Sequence, residues 1–196
     1  MMITERATGS GDSSILQRLS PRLTASAAGL IAVGAVTGLI SYLDRSPARE
    51  AHIPGTSAWI PHLVLAAAAC TLYGLARWRG GRGPLLLLAP LGHGAASRLA
   101  ATMRRPAVRP AGRPAGRRSW RAAAALPPLA MIGYGLWRTG EQITAGLDPN
   151  FTVNAWGGPT YLGAMACHYL DGGLIIAACA WLLNRILIPV GPDRSR

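Results

Sequence analysis

His168 and Asp171 stand three residues apart in a long apolar run, Tyr161–Pro189. Residues at that spacing share one face of a helix. Asp171 lies eleven residues past Thr160 and fourteen before Arg185, or about 16 and 21 Å at roughly 1.5 Å rise per residue. In a membrane-spanning helix that is near mid-depth. A charge there costs at least ~2.5–3.5 kcal/mol, so the carboxyl must face the protein interior, be protonated or have a partner. Thr160 and Tyr161 extend the stripe toward the helix start. A second stripe, Tyr134, Arg138 and Glu141, falls at i, i+4 and i+7 of an earlier apolar segment. Antiparallel packing of the two segments brings Arg138 and Glu141 above His168 and Asp171.

Three kinds of chemistry fit these residues. The first is structural: a polar cluster that locks helices together, with Asp171 protonated or bonded to His168. The second is transport, in which Asp171 and His168 exchange a proton or bind a cation. The third is an enzyme or metal site drawing on His168, Asp171, Glu141 and Asp148. No HExxH, ExxH or tight His/Cys array supports it, so no metal and no other cofactor is expected. His62 and His168 both lie toward the same half of their helices, but one such pair falls short of a haem bundle. His62 otherwise reads as an interfacial polar residue. His93, in Gly-His-Gly, has no ligand spacing.

Four apolar segments must position these groups, which makes the fold class all-α, an integral membrane bundle. The spans are expected at about 24–43, 58–76, 120–140 and 161–189. Thr24–Leu43 holds no charge over 20 residues and is not followed by a small-x-small cleavage site, so it reads as an uncleaved span. Its Gly34 and Gly38 form a GxxxG pair suited to a close helix–helix contact, within the chain or between copies. In the second span Trp59 marks one interface and Arg77, Trp78 and Arg79 mark the other. The third is the weakest, because Pro127-Pro128 should kink it or mark its effective start.

The composition agrees. Half the residues are apolar and 14% are charged, with a formal net charge of +12. All 20 basic residues are Arg. Residues 77–121 carry eleven of them and no acid. Within that stretch, 105–118 reads RPAVRPAGRPAGRR, where proline disfavours helix. The expectation for 77–119 is a disordered, polybasic, Arg/Pro-rich linker. Its Arg104, Arg105, Arg109, Arg113, Arg117 and Arg118 would meet anionic headgroups of the lipid bilayer, at about 1 kcal/mol each. No aromatic is interleaved in the repeat, which argues against nucleic acid. The eight-residue apolar run 84–91 is too short to span and should dip into the interface. The three cysteines, Cys70, Cys167 and Cys179, fall in apolar segments and read as buried, inert thiols.

The charge distribution puts the tails 1–23 and 190–196 and the linker on the cytoplasmic side of a cell membrane, multi-pass, with both termini inside. A short surface helix is expected near 15–19. The connection 138–160 holds the turn formers Asp148-Pro149-Asn150 and Gly157-Gly158-Pro159 with apolar Phe151, Val153 and Trp156 between them. It reads as a packed turn or a lid over the polar cluster. Asn150-Phe151-Thr152 also fits an N-glycosylation sequon, a match short enough to arise by chance. With no P-loop, Rossmann glycine pattern or triad motif, the leading reading is non-enzymatic. It is a membrane-embedded interaction or scaffold subunit, with a membrane protein partner or homo-oligomer. The alternative is a small transporter or proton-coupled channel using the Asp/His pair.

Overall fold

The computed structural model describes residues 19–80, 84–104 and 116–189, and among them the chain is helical with no strand. Helix α1 spans Pro21–Leu43 and α2 Trp59–Gly80. A 3-10 segment, Pro84–Leu91, leads to α3, His93–Met103. Helix α4 spans Gly116–Ala145, the short α5 Pro149–Thr152, and α6 Tyr161–Ile186. Three of these helices are long and apolar enough to cross a membrane: Pro21–Leu43, Trp59–Arg79 and Tyr161–Ile186. Helix α4 is long enough, but Arg121, Arg138, Glu141 and Gln142 dilute its apolar character.

Helix α4 is the centre of the bundle. Its widest contact is with α1, and the next is with α6. The two helices α1 and α4 run parallel: Gly34 lies against Trp137 and Glu141, and Gly38 against Glu141 and Thr144. The approach is so close that a Cβ on Gly34 would stand 1.9 Å from the Trp137 carbonyl oxygen. One on Gly140 would stand 1.9 Å from that of Ile31. Only glycine permits such backbone contact. The Thr144 hydroxyl donates across it to Ala35 O at 2.8 Å. The GxxxG pair therefore serves a contact within the chain. Pro127-Pro128 does not mark the start of α4, which begins at Gly116 and continues through both prolines.

Helix α6 runs antiparallel to α4, with Ile176 beside Gly135 and Tyr161 and Met165 beside Gly146. Helix α2 meets α6 through its first turn, where Trp59 touches Gly163. Farther along, α2 is mostly exposed, and so is Cys70, contrary to the expectation of three buried thiols. Cys167 is buried and Cys179 half-buried.

Of the stretch 77–119, expected as a disordered linker, residues 77–80, 84–91, 93–103 and 116–119 are helical. Helix α3 docks at the end of the bundle opposite the 44–58 and 146–160 connections. Its Leu99 and Met103 pack against Ala125, Leu183 and Leu187. Arg98 donates to the Asn184 side chain, to Asn184 O at 2.7 Å and to Leu187 O at 3.1 Å. These carbonyls lie in and just past the last turn of α6, where a helix has no internal donors left. Thr102, 2% exposed, accepts from Ile188 N at 3.1 Å. Arg98, which is not among the arginines expected to meet headgroups, thus caps α6. Ser20 N donates to Leu91 O at 2.8 Å, tying the start of α1 to the end of the 3-10 segment. Residues 1–18, 105–115 and 190–196 lie outside the described residues, and with them Arg105, Arg109, Arg113 and most of the expected surface helix. Arg104 is exposed at the end of α3, and Arg117 and Arg118 belong to the first turn of α4.

Candidate functional site

Two stretches zip the loop end of the bundle together. Asn150 accepts from Glu50 N at 3.0 Å and donates to Ala48 O at 2.7 Å. Asn154, four residues on, accepts from Ile53 N at 2.8 Å and donates to Ala51 O at 3.2 Å. Each amide matches one donor and one acceptor of the facing backbone, as a paired strand would. Gly157 N donates to Ser57 O at 2.6 Å. Asp148 caps α5 by accepting from Asn150 N at 2.9 Å. The sequon thus consists of a structural Asn150 and a buried Thr152.

This zipper sets where α2 begins relative to α6. It places His62 beside Asp171, with Nε2 3.1 Å from Oδ2. The partner of Asp171 is therefore His62 and not His168. His62, expected as an interfacial polar residue near a helix end, is 6% exposed and paired within the protein. Asp171 thus meets the first turn of α2.

The geometry fixes the proton count of this pair. His62 Nδ1 is 2.7 Å from Ala58 O, a group that only accepts, so Nδ1 carries a hydrogen. One more proton must then lie between Nε2 and Oδ2. The pair is either imidazolium with carboxylate or imidazole with carboxylic acid, and both forms are electroneutral. The Trp156 ring packs on His62, with centroids 5.4 Å apart.

Asp171 also borders a cavity of about 210 Å³ between α4 and α6. Arg138, Thr139 and Gln142 enter it from α4, His168 and Asp171 from α6, and Trp156 from the loop. Tyr134, Met131 and Ile175 complete the wall. The sequence stripes do meet: Tyr134, Arg138, His168 and Asp171 line one space. Glu141 does not line it. Its carboxylate accepts from Arg138 Nη1, and its backbone lies against α1. Arg138 also sits over the Phe151 ring, 5.3 Å from the centroid. This second pair is electroneutral as well.

Comparison of the chain with protein-family models, curated proteins and solved structures finds no match. The site must be read from its own chemistry.

Two polar groups in the cavity are uncommitted. Gln142 is 5% exposed as a residue and makes no side-chain hydrogen bond among the described residues, but its amide reaches the cavity; the one buried side-chain polar atom without a partner among those residues is Tyr169 Oη. His168 is half-buried and also makes no hydrogen bond among them. Thr139 donates to Gly135 O at 2.8 Å, which leaves its oxygen able to accept. Buried polar groups are normally satisfied. An amide that reaches the cavity has donor and acceptor capacity for a guest. Among the described residues no group of three or more metal-ligating side chains occurs.

Sequence reasoning missed Gln142 and the pairing of His62 with Asp171, while Trp156 was expected in a connection read as a packed turn or a lid over the cluster. A signal for Gln142 was present, since it follows Arg138 by four residues on the same helical face. No comparable signal existed for His62, because the zipper that sets the height of α2 depends on contacts about a hundred residues apart in sequence.

Proposed function

We propose that this chain is a multi-pass membrane protein of four spans that binds a small polar solute between α4 and α6 and carries it across the bilayer. Helix α4 acts as the fourth span, sheltered between α1 and α6. Both termini and the Arg-rich segment face the cytoplasm, where Arg104, Arg105, Arg109, Arg113, Arg117 and Arg118 contact anionic headgroups. The cavity then opens toward the outer side, under Trp156.

The observation that carries this reading is the cavity itself, into which α4 brings Arg138 and Gln142 and α6 brings His168 and Asp171. Ionisable residues inside a spanning bundle commonly mark substrate pathways. The volume is below the ~300 Å³ at which drug-sized sites begin, so the guest is small. The Gly34–Gly38 face, which could have served a contact between copies, is occupied by α4 within the chain.

The test is uptake into proteoliposomes. A defined mixture of small polar metabolites is added outside, and the lumen is analysed by mass spectrometry. At least one solute should accumulate with the wild-type chain and not with Gln142→Leu. Equal lumenal contents for wild type, variant and empty liposomes would end the carrier reading.

A further inference from the structure

The charges around the cavity narrow what it can hold. Arg138 and Asp171 both reach it, and each already has a partner that cancels its charge: Glu141 for the first, His62 for the second. The empty site is therefore electroneutral while holding a cationic and a carboxyl group at separate points. A guest with net charge would bring an uncompensated ion into a poorly solvated place, which is costly. A guest with no polar ends would leave Gln142 and both ionic groups unused.

We infer that the cavity takes a small zwitterion of the amino-acid or betaine type. Its carboxylate meets the guanidinium N–H groups of Arg138 not used by Glu141. Its ammonium meets Asp171, whose Oδ1 is not engaged by His62. Gln142 bridges the two ends, since an amide both donates and accepts. Trp156 closes over the apolar part, and its ring face also attracts a cation. This guest adds two charge-assisted contacts and no net charge. The inference rests on the solute-binding reading above and deepens it by naming the class of solute.

The experiment uses the full chain in nanodiscs and four probes of similar size: L-valine, isovalerate, isobutylamine and isobutyramide. Binding is followed by calorimetry. L-valine should bind most tightly, because losing one charge-assisted contact costs roughly tenfold to hundredfold in affinity. Arg138→Gln should erase the preference for L-valine over isobutylamine. Asp171→Asn should erase the preference over isovalerate. Arg138→Lys keeps the charge and should retain the first preference, which separates loss of recognition from loss of fold. Isobutyramide binding as tightly as L-valine would overturn the zwitterion assignment and leave solute binding intact. If none of the four binds, both this inference and the cavity reading fail.

Discussion

Helix α4 has two different neighbours. Toward α1 it presents Gly140 and a backbone met by Gly34 and Gly38, with no room for a Cβ. Toward α6 it presents Arg138, Thr139 and Gln142 to a cavity of about 210 Å³. The same helix therefore packs to backbone contact on one side and leaves polar space on the other. In lipid, where packing and not hydrophobic burial holds helices together, the first face anchors the bundle. The second can then line a polar space, because stability is supplied elsewhere. Stability kept on one face and function on the other is a common division in proteins.

The contrast can be broken most severely on the tight face. Gly140→Leu places a side chain where the Ile31 carbonyl now stands. Overpacking typically costs 1–3 kcal/mol, and here two backbones must separate, so a loss of about 3 kcal/mol or more is expected. Unfolding in detergent followed by circular dichroism reads it. Near-normal stability would show that the α1–α4 contact is looser than described.

The polar face should respond less in stability and more in function. Asp171→Ala strands His62 Nε2 in a buried position, at an expected cost of about 1–3 kcal/mol. Solute uptake should be lost as well. If His62→Ala were made in addition, much of the stability deficit should return, because both partners are then gone. A double-mutant cycle measures that coupling, and strictly additive losses would show that the pair does not interact.

The loop zipper should come next. Asn154→Ala removes two hydrogen bonds to the 51–53 backbone. A loss of about 1–2 kcal/mol is expected from exposed bonds of this kind. Because the zipper sets the height of His62, hydrogen exchange should also rise at 51–58. Unchanged exchange there would mean that the loops hold together by other means.

The smallest effect is expected at Gly173, where an added Cβ meets nothing within 4 Å. Gly173→Ala should raise stability by up to ~1 kcal/mol through helix propensity alone. A loss would reveal a close neighbour on that face.

The sequence made some of this visible. Uninterrupted apolar runs marked α1, α2 and α6 to within a few residues, because length and hydropathy are local properties. The meeting of Tyr134, Arg138, His168 and Asp171 also followed, since helical spacing and antiparallel order were enough to bring them together. Glu141 was drawn into that site because it shares the stripe, but its side chain turns back along the helix to Arg138. The partner of Asp171 was not visible. It depends on the relative height of two helices, which Asn150 and Asn154 set through side-chain bonds to a remote backbone. Arg98 was hidden for a related reason. Eleven arginines in one stretch look alike in sequence, and only the nearby α6 carbonyls single this one out.

The central claim is that the α4–α6 face gives up stability to hold a guest, and Gln142→Leu tests it most directly. Thermal stability and solute binding are measured on the same preparation. Leucine replaces an amide that makes no side-chain hydrogen bond among the described residues with an apolar group of similar size, a change that is neutral or stabilising when no hydrogen bond is lost. The expected result is stability equal to or above wild type with binding and uptake abolished. A variant that is clearly destabilised, or one that still binds and carries solute normally, would contradict the account.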